Sequence, residues 1–158
     1  MGACFYACAS SESEISKNPG HKFRTVAIFY GPGNAGRIFI QLLQKMIEGM
    51  IGNFYSEIDI HDLKNNLNII RSARVVGCAD CKTTPFQPDD VEIFKALASG
   101  QEVYDPLLED KFVYNGMFIF SMKELPENMD MLRNALDAQK ENQKIKLVLI
   151  ESPQVDED

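Results

Sequence analysis

The sequence has no excess of basic residues, no long apolar run and few cysteines, and each of these absences excludes a class of protein. Because 16 Lys and Arg residues stand against 23 Asp and Glu residues, the formal net charge is −7, which argues against a nucleic-acid-binding surface. No apolar run is long enough for a membrane span or a secretory signal. Four cysteines in 158 residues do not make a disulfide framework, so a reducing, cytoplasmic setting is expected.

The N-terminus carries a weak acylation pattern. Gly2 is a candidate for myristoylation and Cys4 for palmitoylation, and two acyl chains suffice for stable membrane anchoring. The motif has Ser or Thr where this chain has Tyr6. We therefore expect residues 1–22 to be a disordered leader that, if acylated, would associate the protein with the membrane surface.

The rest of the chain predicts one domain over residues 23–152 and an acidic tail over 153–158. With 45% hydrophobic and 25% charged residues, the chain fits one ordinary globular domain. Apolar, β-rich runs alternate with helical periodicity, which predicts a Rossmann-like three-layer α/β sandwich with a mostly parallel sheet. Its strands are expected near 24–30, 74–79, 117–122 and 145–150.

The remaining segments predict shorter elements. A strand is expected within 53–60, and helices over 63–70, from Asp89 or Asp90 to Gly100, and over 126–139 with Pro126 in the first turn. The acidic stretch that contains Glu102, Asp105, Glu109 and Asp110 is expected to be a solvated loop.

A glycine motif follows the first predicted strand and opens an amphipathic helix. Residues 31–36, GPGNAG, match G-x-G-x-x-G in full. In a dinucleotide site the first glycine permits a tight turn, the second lets a pyrophosphate approach the backbone, and the third lets the helix pack on the strand. The context predicts a nucleotide bound at the N-terminus of this helix, although a strand–helix turn that merely needs glycine remains open.

A dinucleotide site also needs an acid at the end of a neighbouring strand to bind the adenosine ribose. Asp59 has the better spacing from Gly36, whereas Asp80 follows the better strand, because Val75 and Val76 suit a buried parallel strand.

Three segments resemble the N-terminal dinucleotide-binding domain of homoserine dehydrogenases: VAIFYGPGNAGRIFIQLLQKM, ARVVGCADCKTT and DDVEIFKALASGQ. The resemblance covers about residues 24–103. It implies an NAD- or NADP-binding, oxidoreductase-related domain, with NAD slightly preferred, in which the dinucleotide is bound through Gly31, Gly33, Asn34, Ala35 and Gly36, and Asp80 faces the ribose. The family's catalytic half would follow residue 152, so no catalytic residue can be assigned. Either a separate partner chain or a second copy in a homo-oligomer supplies that half, or the domain binds the cofactor without dehydrogenase chemistry.

Two other functions stay open at this point. A flavodoxin-like FMN reductase or electron-transfer protein also begins with a strand and a phosphate loop, and some members carry clustered cysteines. A non-catalytic nucleotide-sensing interaction module is the other alternative.

One pair of cysteines and one histidine also suggest other chemistry, but both receive plainer interpretations. Cys78 and Cys81 lack further ligands outside the leader, so no metal site is predicted. Cys78 is expected to be a buried strand residue and Cys81 to line a loop. His61 begins a stretch similar to a phospho-accepting box, but the α/β context favours a surface residue.

Overall fold

The computed structural model describes residues 24–51, 54–137 and 145–153. Within these ranges five parallel strands form one sheet with helices on both faces, which confirms the predicted Rossmann-like three-layer α/β sandwich. The sheet strands are β1 (Arg24–Tyr30), β2 (Tyr55–Glu57), β3 (Val75–Cys81), β6 (Met117–Met122) and β7 (Ile145–Glu151), and β4 (Glu102–Asp105) pairs with β5 (Asp110–Val113) in a separate hairpin. The helices are α1 (Ala35–Ile51), a 3-10 helix (Ile60–Asn65), α2 (Leu67–Ile70), α3 (Pro88–Ser99) and α4 (Met129–Asp137).

The central strands are apolar on both faces because helices cover both sides of the sheet. Val26 and Ile28 of β1 pack into one core cluster, while Ala27 and Phe29 pack into the other. Such continuous burial is expected of a central parallel strand. Helix α1 covers the face of Ala27 and Phe29, and α3 and α4 cover the opposite face.

The strand order of the sheet is β2-β3-β6-β1-β7. Strand β1 therefore lies between β6 and β7, with β6 separating it from β3. In the usual order of dinucleotide-binding domains, 3-2-1-4-5-6, the first strand lies beside the second and the fourth. This chain thus shares the layered architecture of those domains but not their strand order.

The connections that leave β1 and β6 run in opposite directions along the sheet. From β1 the chain crosses one face through α1 and reaches β2 at one edge, whereas from β6 it crosses the other face through α4 and reaches β7 at the opposite edge. Where the connections from two adjacent strands run to opposite faces of a sheet, a crevice is left between them at the carboxyl ends of the strands. The order of the strands therefore positions a cleft beside the glycine loop.

Several predicted boundaries are corrected by the structure. The strand expected within 53–60 is limited to β2, and the helix expected over 63–70 is divided into the 3-10 helix and the single turn of α2. Helix α4 begins three residues after Pro126, whose carbonyl instead accepts a turn hydrogen bond from the Met129 amide. Helix α3 ends as predicted at Gly100, which has a left-handed φ of 77°.

The acidic stretch that was expected to be a solvated loop forms the β4–β5 hairpin. Glu102, Asp105, Glu109 and Asp110 belong to it, and Asp105 is buried. The prediction was wrong because the stretch is rich in acidic residues. The two apolar residues that pair across the hairpin and are buried, Val103 and Phe112, are far enough apart in the sequence that they form no visible pattern.

The expectations for the leader (1–22, with Gly2 and Cys4) and for residues 154–158 of the acidic tail lie outside the described residues. Within the described ranges, no helix is long and apolar enough to cross a membrane.

Candidate functional site

A small, open cleft lies at the carboxyl end of the sheet, where the connections that leave β1 and β6 run to opposite faces. It is formed by the carboxyl ends of β3 and β6, the glycine loop after β1 and the first turn of α1. Its lining residues are Gly31, Gly33, Asn34, Arg37, Ala79, Asp80, Ser121, Met122 and Lys123.

The three glycines of the loop are each required by a close contact. Gly31 has φ of 124°, a conformation that side chains rarely adopt, and its amide donates to the carbonyls of Met122 and Lys123. A Cβ on Gly36 would lie 2.3 Å from the Cβ of Phe29, so this glycine permits α1 to pack on β1. These two roles agree with the dinucleotide motif.

The middle glycine has a different role from the one that the motif assigns. A Cβ on Gly33 would lie 2.4 Å from the carbonyl oxygen of Pro153, and the Gly33 amide donates to the Ser152 carbonyl at 2.9 Å. The space next to Gly33 is therefore occupied by the chain after β7. The need for glycine at position 33 is therefore explained by this packing and does not require a bound pyrophosphate.

The N-terminus of α1 offers free amides and a positive charge to the cleft. Asn34 accepts the first helical hydrogen bond from the Ile38 amide, so the amides of residues 35–37 have no partner within the helix. No acidic residue lies in this turn. The side chain of Arg37 is exposed, lines the cleft and has no hydrogen bond or ion pair with another described residue. The helix dipole and the guanidinium together favour an anion here.

A β-bulge in β3 positions Asp80 in the cleft. Cys78 pairs with Phe120 and Cys81 with Met122, so three steps along β3 match two along β6. The extra residue lies between them and interrupts the alternation of β3. Ala79 and the exposed Asp80 consequently line the cleft beside the loop.

Asp59, the alternative acid, is not among the residues that line the cleft. It caps the 3-10 helix: its carboxylate accepts hydrogen bonds from the amides of His61 and Lys82, both at 2.9 Å, and its Oδ1 lies 2.6 Å from His61 Nδ1. Burial raises the pKa of Asp59, but these hydrogen bonds outweigh it and hold the pKa below its ordinary value.

The prediction that His61 is a surface residue is wrong. Its side chain is only 10% exposed, it stacks on Phe86, and its Nε2 lies 2.8 Å from the Thr84 carbonyl oxygen. Both ring nitrogens therefore face oxygen atoms that accept hydrogen bonds, and the residue connects the 3-10 helix to the loop after β3.

The two cysteines are both buried and free. Cys78 is a buried strand residue, as predicted, but Cys81 is the last residue of β3 rather than part of a loop. The Cys81 thiol donates to the Cys78 carbonyl oxygen at 3.7 Å. The interaction of the two neighbouring thiols lowers the pKa of Cys78 and raises that of Cys81, which burial raises further.

The structure thus brings Gly31, Gly33, Asn34 and Asp80 to one cleft, while Ala35 and Gly36 lie in the adjoining first turn of α1. Sequence reasoning did not identify Arg37 or the residues at the end of β6, Ser121 to Lys123. Arg37 could have been predicted as an anion-binding residue, because it directly follows Gly36 of the glycine motif. The residues at the end of β6 could not have been predicted, because nothing in the sequence indicates that β6 lies next to β1.

No family model, no curated protein and no solved structure matches this chain.

Proposed function

We propose that the chain binds a nucleotide through its phosphate groups in the cleft between the glycine loop and Asp80. One observation carries this proposal: the free amides of α1, the exposed Arg37 and the carboxylate of Asp80 meet in one cleft. The cleft lies where the connections from β1 and β6 run to opposite faces of the sheet. Crevices of this kind outside the carboxyl ends of parallel strands are where α/β proteins bind ligands.

A nucleoside triphosphate with its Mg²⁺ is the ligand that the geometry supports best. Gly31 and Gly36 are separated by four residues and followed by a basic residue, which agrees with the spacing of the phosphate loop G-x-x-x-x-G-K-[ST]. In such sites an acid from another strand helps to hold Mg²⁺, and Asp80 is available for this in the same cleft.

Two departures from that motif bear on activity. Arg37 replaces the lysine that reaches the β- and γ-phosphates, and Ile38 replaces the hydroxyl residue that binds Mg²⁺. A guanidinium still binds phosphate well, in a bidentate manner. We therefore propose binding with little hydrolysis.

NAD or NADP is the second candidate, supported by the complete G-x-G-x-x-G motif after a buried parallel strand. The strand order weakens it, because in dinucleotide sites the acid that binds the ribose follows the strand beside the loop-bearing strand, whereas here β6 separates β3 from β1. Asp80 therefore lies about two strand spacings from the strand that carries the loop. The proposed oxidoreductase relationship, and a partner chain or second copy that would supply a catalytic half, depend on this second candidate.

A comparative titration tests the proposal and ranks the ligands. The protein is titrated with ATP, GTP, NADH, NADPH and FMN, each with Mg²⁺ and with EDTA. We expect triphosphates to bind best and to lose affinity in EDTA, because Asp80 contributes through the metal. Tightest binding of NADH or NADPH, independent of Mg²⁺, would support the dinucleotide instead, and tightest binding of FMN the flavodoxin-like alternative.

Matched charge variants locate the binding site. Arg37→Ala removes a charged hydrogen-bond donor worth about 1.5–3 kcal/mol, so we expect roughly 10–150-fold weaker binding. Arg133→Ala, an equal charge change on an exposed residue of α4, should leave the affinity unchanged. If both variants bound equally well, or if no nucleotide bound at millimolar concentration, the assignment of the cleft would be wrong.

A further inference from the structure

We propose that Cys78, Cys81 and Asp59 form a binding site for Zn²⁺, with water as the fourth ligand. The two thiol sulfurs and a carboxylate oxygen of Asp59 all lie within 4.8 Å of one another. Thiolate and carboxylate are both Zn²⁺ ligands, and three protein ligands with one water is a common zinc coordination. Sequence spacing alone predicts no metal here, because it offers only Cys4 and Cys8 as further ligands.

The bulge in β3 brings the two thiols to the same side of the sheet. In a regular strand residues i and i+3 point to opposite faces. Because the bulge adds one residue between Cys78 and Cys81, both side chains join the same core cluster, whereas Ala79 joins the cluster on the other face. The local fold therefore arranges a Cys-x-x-Cys pair as two ligands of one ion.

The separations are close to those that Zn²⁺ requires. With Zn–S near 2.3 Å and Zn–O near 2.1 Å, the ligand atoms of a tetrahedral site lie roughly 3.6–3.8 Å apart. The three atoms here, which lie within 4.8 Å of one another, would need to approach by about 1.2 Å at most. Rotation of the two cysteine side chains about their Cα–Cβ bonds can supply this while Asp59 keeps its hydrogen bonds.

Asp59 is held in place and still has a lone pair for a metal. An ionised carboxylate has about four lone-pair positions. The amides of His61 and Lys82 and the His61 ring occupy three of them. His61 is in turn held by the Thr84 carbonyl, so it acts as a positioning residue, as hydrogen-bonding partners of metal ligands generally do.

The surroundings of the two thiols also favour a cation. Asp59 lies within 4.8 Å of both sulfurs, and Glu57 lies close by, where its carboxylate accepts a hydrogen bond from the Ala79 amide. A divalent ion would offset the negative charge of these carboxylates, and the thiols would lose their protons as it binds. Both cysteines are buried, so bulk solvent has little access to an ion on their side.

Titration of the reduced full-length protein with Co²⁺, a spectroscopic substitute for Zn²⁺, tests the site. We expect one Co²⁺ per chain, thiolate-to-cobalt charge-transfer absorption in the near ultraviolet, the strong visible bands of four-coordinate cobalt, and displacement by Zn²⁺. The Cys4→Ser/Cys8→Ser double variant should give the same spectrum, and Cys78→Ser should lose the charge-transfer band.

Asp59→Asn removes the charged ligand but keeps an oxygen that can cap the 3-10 helix, because Asn is as good a helix N-cap as Asp. We expect it to bind Co²⁺ at least about tenfold more weakly, since even outer-shell substitutions cost 10–100-fold in metal affinity. Asp62→Asn, three residues along the chain, is the matched charge control and should bind normally.

A measurement on the unmodified protein covers the case in which Cys78→Ser does not fold. Zn²⁺ should protect Cys78 and Cys81 from alkylation, as mapped by mass spectrometry, but leave the reactivity of Cys4 and Cys8 unchanged. The proposal is overturned if the cobalt spectrum depends on Cys4 and Cys8, or if Asp59→Asn and Asp62→Asn bind alike. It is also overturned if the reduced protein takes up no metal and the two thiols only form a disulfide on oxidation.

Discussion

Replacing Gly36 with alanine should weaken the contact between α1 and β1 on which the geometry of the cleft depends. The added Cβ would lie 2.3 Å from the Cβ of Phe29 and 2.9 Å from the Ser121 hydroxyl oxygen. A Cβ position is set by the backbone, so rotation of the Phe29 ring cannot relieve the first contact. The first turn of α1 would have to move by at least about 1.1 Å to reach an ordinary contact distance of 3.4 Å.

Two opposing effects set the size of the loss. Overpacking of this kind costs about 1–3 kcal/mol. The better helix propensity of alanine returns at most about 1 kcal/mol. With the full offset, we expect the free energy of unfolding to fall by up to about 2 kcal/mol and the melting temperature by up to roughly 8 °C.

Urea and thermal unfolding followed by circular dichroism measure this loss. Gly36→Val should be less stable than Gly36→Ala, because the larger side chain meets the same strand. The control is Ala35→Val at the neighbouring exposed position, which should cost less than about 0.7 kcal/mol through helix propensity alone. A Gly36→Ala protein more stable than the parent would refute the close packing of α1 on β1.

Three further substitutions test the rest of the fold by the same unfolding measurements. Phe94→Ala removes a fully buried ring that lies 5.0 Å from the ring of Phe118, and should cost about 3–5 kcal/mol; a loss below about 1 kcal/mol would contradict its burial. Arg24→Met removes the guanidinium hydrogen bonds to the Tyr114 carbonyl and to Asn115, and should cost about 2–3 kcal/mol and speed amide exchange in the β4–β5 hairpin. Unchanged exchange there would argue against this connection. Leu107→Ser, at a hairpin position that is 71% exposed, should change stability by less than about 0.5 kcal/mol, and a larger loss would mean that the hairpin is covered in solution.

Local patterns were sufficient to predict the central layer of the fold. The continuous apolar residues of β1 and β6 predicted buried parallel strands, and helical periodicity predicted α1 and α3. Prediction failed where the elements were short or polar. The β4–β5 hairpin was missed because its acidic residues concealed the alternation of Val103 and Phe112, and the 3-10 helix because it is stabilised by the contacts of Asp59 and His61.

The sequence by itself determined the α/β architecture and singled out residues 31–36 and Asp80, because strand burial and glycine spacing are local properties. Only the tertiary structure decided what surrounds them. The strand order sets β6 between β1 and β3, and so brings Ser121 and Lys123 to the cleft. The bulge turns Cys78 and Cys81 to one side, next to an aspartate that is distant along the chain. Both depend on which strands pair and in what register, and long-range pairing of this kind leaves no periodic trace in the sequence.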